Sequence, residues 1–158
     1  MKDPNLVADI VAEMKKACTI PITVKCRIGV DDDDKWEQMI EFIRIVSEKG
    51  GCTKFIIHAR KCLLKGLDPK QNRTIPVLKY DWVFNLKKLF PHLNFVINGG
   101  FSNLEKVQDI LKDSHPLKTN DGLEGCMSGR LAMNTPWECA RIDRELFDDY
   151  SGDSPTRE

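Results

Sequence analysis

The feature that most constrains this chain is a repeated alternation of helical and extended signals, separated by turn residues, from Asp3 to about Phe147. Asp3-Pro4 opens a segment with Leu6, Val7, Ile10, Val11 and Met14 at helical spacing; Pro suits the first helical position and Asp the cap. Ile22 to Ile28 alternates apolar and polar residues strictly, which is the period of a strand. Asp34 and Glu37 then form a capping-box-like pair before Trp36, Met39, Ile40, Ile43 and Val46, and Gly50-Gly51 stops that helix. Thr53 to His58 is a short β-rich apolar run. Asp81 caps a helix through Trp82, Val83, Leu86, Leu89 and Phe90, and Leu93 to Asn98 is a third strand. Ser102 with Glu105 caps a helix carrying Leu104, Val107, Ile110 and Leu111. A weaker strand at 124–128 leads to Thr135-Pro136 and a final helix, and the tail 151–158 is expected to fray.

This order predicts parallel strands joined by right-handed crossovers. At 158 residues the chain is long enough for a real core without a metal or disulfide staple. It is too short for a complete (β/α)8 barrel, which takes roughly 250 residues. The expectation is an α/β chain of four β/α units with a leading helix. That is either a half TIM barrel, covering about residues 1–150, or a small open sheet.

Lys plus Arg and Asp plus Glu both total 24, so net charge gives no global sign of a nucleic-acid or membrane partner, and any charge argument has to be local. Six cysteines show neither a C-x-x-C pair nor metal-ligand spacing with His58, His92 or His115, which favours reduced thiols in an intracellular protein and no metal. The sequence shows no signal peptide, lipidation motif or long apolar run.

Two places concentrate chemistry. Asn98-Gly99-Gly100 ends one strand, and Gly125-Cys126-Met127-Ser128-Gly129-Arg130 follows about one β/α unit later. Glycine lets backbone come close to a ligand, and free N–H groups at a following helix start suit an anion. In (β/α)8 barrels such a pair belongs to the last two strands, where phosphate commonly sits. On the first strand, Thr23, Lys25 and Arg27 share the face opposite Ile22, Val24, Cys26 and Ile28. Inward cations need either a bound anion or a structural ion pair. His58 ends its strand at the rim where barrel enzymes keep active residues, although a strand-end histidine also serves as a satisfied core residue.

Residues 59–79 show neither period and hold Arg60, Lys61, Lys65, Lys70, Arg73 and Lys79 against a single acid, Asp68. Loops this long are usually functional or disordered. The excess charge reads either as a phosphate-backbone surface or as a solvated loop. Asp31 to Asp34 lacks the glycine and distal glutamate of a calcium loop and reads as a cap and solvated face. Residues 113–123 read as an inserted polar surface loop.

Taken together, Ile22-Thr23-Val24-Lys25-Cys26-Arg27-Ile28-Gly29, Phe55-Ile56-Ile57-His58-Ala59-Arg60-Lys61, Gly66-Leu67-Asp68-Pro69-Lys70-Gln71-Asn72-Arg73, Ile97-Asn98-Gly99-Gly100 and Gly129-Arg130 closely resemble the tRNA-dihydrouridine synthases, most of all the DusA-type branch. The match runs from about Asp3 to Phe147, broken only by 113–123. The resemblance implies an FMN-dependent barrel enzyme that reduces the C5–C6 double bond of uridine in tRNA, with NADPH supplying the hydride, in the cytoplasm or an organelle. It implies that Lys25 and His58 contact the flavin ring, that Asn98, Gly99 and Gly100 hold the ribityl phosphate together with Gly129 and Arg130, and that Lys70 and Arg73 touch tRNA. The family's first barrel strands, its C-terminal helical RNA-binding domain and its proton-donating cysteine have no counterpart here. The expectation is therefore the C-terminal half of such a barrel, with Met1 an internal methionine and no activity alone. The alternatives are another FMN barrel, such as a dihydroorotate dehydrogenase, and a non-catalytic RNA-binding remnant.

Overall fold

A computed structural model describes residues 1–112, 122–152 and 156. Four short strands, β1 (Val24–Arg27), β2 (Lys54–His58), β3 (Asn94–Asn98) and β4 (Gly125–Met127), form one parallel sheet in chain order. Parallel neighbours need a crossover. Helices α2 (Trp36–Glu48), α3 (Tyr80–Leu89) and α4 (Leu104–Leu111) supply the three, behind a leading α1 (Pro4–Ala17). The chain is thus α/β, with four parallel strands alternating with helices, as the partial barrel expected from the sequence requires. Beyond β4 run α5 (Gly129–Asn134), a 3₁₀ stretch (Pro136–Arg141) and α6 (Ile142–Leu146).

The strand period decides which residues face what. Phe55 lies beside Phe95 and Ile57 beside Ile97 in the parallel register, and all four are fully buried. They join Met39, Phe42, Ile43 and Val46 of α2 and Val83, Phe84 and Leu86 of α3 in the core. The rings of Phe55 and Phe95 stack at 5.9 Å. Burying each of these side chains contributes about 1.5–3 kcal/mol, so this layer holds sheet to helices. Truncating Phe95 to Ala would cost about 3–5 kcal/mol.

Helix starts follow the expected places, but not always through the expected caps. Asp3 does cap α1, accepting the Leu6 N–H at 2.9 Å with Pro4 first in the helix. For α2 the capping residue is Lys35, whose N–H donates to the Gln38 side chain at 3.1 Å, in place of the Asp34–Glu37 pair. Asn103, not Ser102, caps α4 by accepting the Lys106 N–H. Asp81 lies inside the first turn of α3, where its charge suits the helix dipole, and Lys79 is the cap. The single final helix is in fact split into the 3₁₀ stretch and α6, and α5 was not foreseen. The expected insertion at 113–123 falls outside the described residues except for Gly122 and Leu123, as does most of the 151–158 tail.

Candidate anion and cofactor site

The parallel register places Arg27 beside His58, His58 beside Asn98, and Asn98 beside Met127. One row at the C-terminal ends of all four strands therefore carries these side chains on the face away from the core helices. Asn98 is tied into the row by donating from Nδ2 to the Met127 carbonyl at 2.7 Å. Lys25 stands two residues earlier on β1, beside Ile56, with its side chain exposed. Arg130 follows β4 in the first turn of α5.

His58 is only 8% exposed. Burial pushes its pKa from 6.5 down to about 4, and the charges of Arg27, Lys25, Arg60 and Arg130 push the same way. At neutral pH it is therefore an uncharged imidazole with one donor and one acceptor nitrogen. Among the described residues no carboxylate forms an ion pair with any of these four cations. Four positive groups within electrostatic reach of a neutral histidine, with no described carboxylate paired to them, make this end of the sheet positively charged.

Beside His58 the chain turns through Gly99 (φ 111°) and Gly100 (φ 84°), both in backbone territory that favours glycine. A Cβ on Gly99 would stand 2.6 Å from His58 Cδ2 and 2.9 Å from Nε2. On Gly100 it would meet the Tyr80 hydroxyl at 2.7 Å. Neither position has room for a side chain, because His58, Leu78 and Tyr80 already pack against the turn. Gly129 differs, because a Cβ there would enter open space. Its packing does not demand glycine.

The segment 59–79 is ordered by buried polar contacts that its composition conceals. Arg27 Nη1 donates to the carbonyls of Lys61 and Asn72, both at 2.9 Å. Asn72 is buried; its Oδ1 accepts the Leu63 N–H at 2.8 Å, and its Nδ2 donates to the Leu63 and Leu67 carbonyls. Arg60 is also buried and donates from Nη1 to the Pro76 carbonyl. Lys61 and Lys79 both pair with Asp34, at 3.3 and 3.7 Å, and Lys79 lies over the Trp82 ring. The aspartate run is thus more than a cap and solvated face: Asp34 clips both ends of the loop, and Asp31 accepts the Leu64 N–H. The outward charge reduces to Lys65, Lys70 and Arg73, all exposed, with Lys70 and Arg73 around a short 3₁₀ turn.

The cysteines occupy other positions. Cys26 and Cys126 lie in the row of Ile57 and Ile97, packed against the core, with thiols pushed by burial to about 12 and about 11. All six cysteines are free, and no described cluster of His, Cys, Asp and Glu could hold a metal ion. A cavity of about 390 Å³ lined by residues such as Met1, Pro4, Ile28, Met39 and Phe42 includes none of the rim residues. Reasoning from the sequence singled out Lys25, His58, Asn98, Gly99, Gly100 and Arg130, but it read Arg27 only as an inward cation needing an anion or an ion pair, counted Arg60 only among the charges of 59–79, and assigned no role to Tyr80. The period of β1 and the position of Arg60 two residues past His58 carried the first two signals. Tyr80 had none.

Four parallel strands alternating with helices, with a neutral histidine, several cations and a glycine turn at the carboxyl ends of the strands, define an α/β chain of the partial (β/α)8-barrel class. The profile of the dihydrouridine synthase (Dus) family matches residues 1–156, and the chain belongs to that family. Its relatives include the tRNA-dihydrouridine(20/20a) synthase of Vibrio vulnificus (strain CMCP6), 49% identical over 151 residues that make up 96% of this chain and 44% of that protein. The protein of the same name from Escherichia coli (strain K12) is 47% identical over 147 residues, 93% of this chain and 40% of that one. The chain therefore spans less than half the length of these relatives. No helix among the described residues is long and apolar enough to cross a membrane.

Proposed function

We propose that the chain forms the second half, residues 1–150, of the catalytic barrel of an FMN-dependent tRNA-dihydrouridine synthase of the DusA-type branch, acting in the cytoplasm. The observation that carries this is the set of Lys25, Arg27, Arg60 and Arg130 around neutral His58, with no described carboxylate to balance it, beside two glycines whose side-chain space is already filled. Such a set fits a planar ligand that bears a phosphate. The glycine turn and Arg130 would hold the phosphate through backbone N–H groups and a charge-assisted bond, and Lys25 and His58 would face the ring. FMN, when bound, supplies hydride transfer from NADPH to C6 of a uracil ring. His58 stays neutral there, so it can donate one hydrogen bond without adding charge, and Asn98 is held by the Met127 carbonyl. The matching proton at C5 has to come from an acid other than Cys26 or Cys126, whose buried thiols face the core.

Lys70 and Arg73 would contact the tRNA backbone, which positions a uridine for extrusion into the pocket. Membership of the Dus family argues against the dihydroorotate dehydrogenase alternative. The test is mass-spectrometric measurement of dihydrouridine in tRNA incubated with the naturally expressed chain, FMN and NADPH, beside a flavin absorbance spectrum. Flavin-dependent dihydrouridine that disappears with Arg130→Ala supports the proposal. Absence of flavin binding in the naturally expressed protein would refute it, and binding of tRNA without flavin would favour the non-catalytic remnant.

A further inference from the structure

The Tyr80 hydroxyl, at the first residue of α3, donates to the Gly99 carbonyl at 2.5 Å. Its ring stacks on Phe101, with centroids 5.4 Å apart and planes 10° from parallel. One tyrosine thus grips the cradle from two sides, one polar and one apolar. The Gly99 carbonyl and the Gly100 N–H belong to the same peptide unit. That unit is trans, so the two groups point in opposite directions. Fixing the carbonyl on Tyr80 turns the Gly100 N–H away from α3, and that N–H donates to no described residue.

We propose that Tyr80 is a positioning residue of the phosphate cradle: its hydroxyl fixes the Gly99–Gly100 peptide so that the Gly100 N–H is aimed at the FMN phosphate before the ligand binds. The inference rests on the FMN reading above and deepens it. Two positive-φ residues in succession leave the peptide between them free to rotate, and an N–H that must be reoriented during binding contributes less than one already in place. A second observation supports a ligand at this end. Arg60 is buried with its Nε lacking any hydrogen-bond partner, and it lies within electrostatic reach of both the Tyr80 hydroxyl and Arg130. A buried guanidinium left partly unsatisfied beside an unpaired N–H is what an absent anion would complete.

Tyr80→Phe separates the two grips, because it keeps the ring on Phe101 and removes only the hydroxyl. The experiment titrates FMN and riboflavin, which lacks the phosphate, into the naturally expressed apoprotein and compares their affinities. The expected result is a fall of about 10-fold in FMN affinity with riboflavin affinity unchanged, the effect of one hydrogen bond to a charged group. Phe101→Leu serves as the packing control; it should lower thermal stability while leaving the FMN-to-riboflavin ratio as in the wild type. An unchanged ratio in Tyr80→Phe overturns the assignment, as does an equal change of ratio in Phe101→Leu, which would make the effect one of packing. If the wild type binds FMN no better than riboflavin, the phosphate reading itself fails and the role of Tyr80 fails with it.

Discussion

Protonation of His58 should couple the stability of this chain to mild acid. In the folded state burial and four neighbouring cations hold its pKa at about 4, against 6.5 for the free side chain. Between those values the unfolded chain binds a proton at this residue and the folded chain does not, so stability rises with pH and is lost as pH falls through that window. The gap bounds the loss at about 3 kcal/mol, of which about 2 kcal/mol is reached on going from pH 7.5 to pH 5. Below pH 4 both states are protonated and this residue contributes no further slope. His58→Gln keeps a polar side chain of similar reach and cannot titrate. Urea denaturation of both proteins at pH 7.5, 6, 5 and 4.5 isolates the histidine, because the exposed carboxylates are common to the two. Wild type should lose about 2 kcal/mol more than His58→Gln between pH 7.5 and 5. Equal losses, or an NMR titration of the imidazole near pH 6.5, would show that the cations and burial around it do not act as described.

Further outcomes follow from the same geometry. Gly99→Ala forces a Cβ against the His58 ring at positive φ, and it should cost about 1–3 kcal/mol in urea denaturation and reduce flavin binding. Asn72→Leu strips the Leu63 N–H and the Leu63 and Leu67 carbonyls of a buried partner. A loss of about 1–3 kcal/mol and faster tryptic cleavage after Lys65, Lys70 or Arg73 are expected, and unchanged cleavage would show that Asn72 does not order the loop. Replacing Lys70 and Arg73 together by Ala should leave flavin content unaltered and weaken tRNA binding. The slope of log affinity against log salt should flatten by roughly 0.7–0.9 per lost phosphate contact, measured by titration at several salt concentrations.

The order and direction of the strands could be read from the chain because each element carries its own period and its own stop signal. Ile22–Ile28 alternates, Asp3-Pro4 starts a helix, and Gly50-Gly51 ends one, all within a few residues. Exact caps were less legible: Lys35 with Gln38 outdid Asp34 with Glu37 because Asp34 is engaged elsewhere, by Lys61 and Lys79. That engagement joins two loops distant in sequence, so a count of charges in 59–79 overstated what faces solvent. Arg60 and Asn72 were hidden for a related reason, since their partners are backbone groups, which no side-chain pattern reveals. The inward face of β1 could be read from alternation alone, whereas the role of Tyr80 depends on where α3 begins in space.

The row formed by Arg27, His58, Asn98 and Met127 has a genetic consequence. Its members are aligned by the backbone ladder, each brought beside the next by hydrogen bonds that are indifferent to side chains. Point substitutions can therefore retune one position while its neighbours stay in place. Loss of a single codon within Phe55–Ile57 is another matter: it would shift β2 by one residue against both neighbours and turn His58 from the rim toward the packed helices. Drift in this family should thus tolerate exchanges of residue type along the row, while gains and losses of residues gather in the connections between strands and helices.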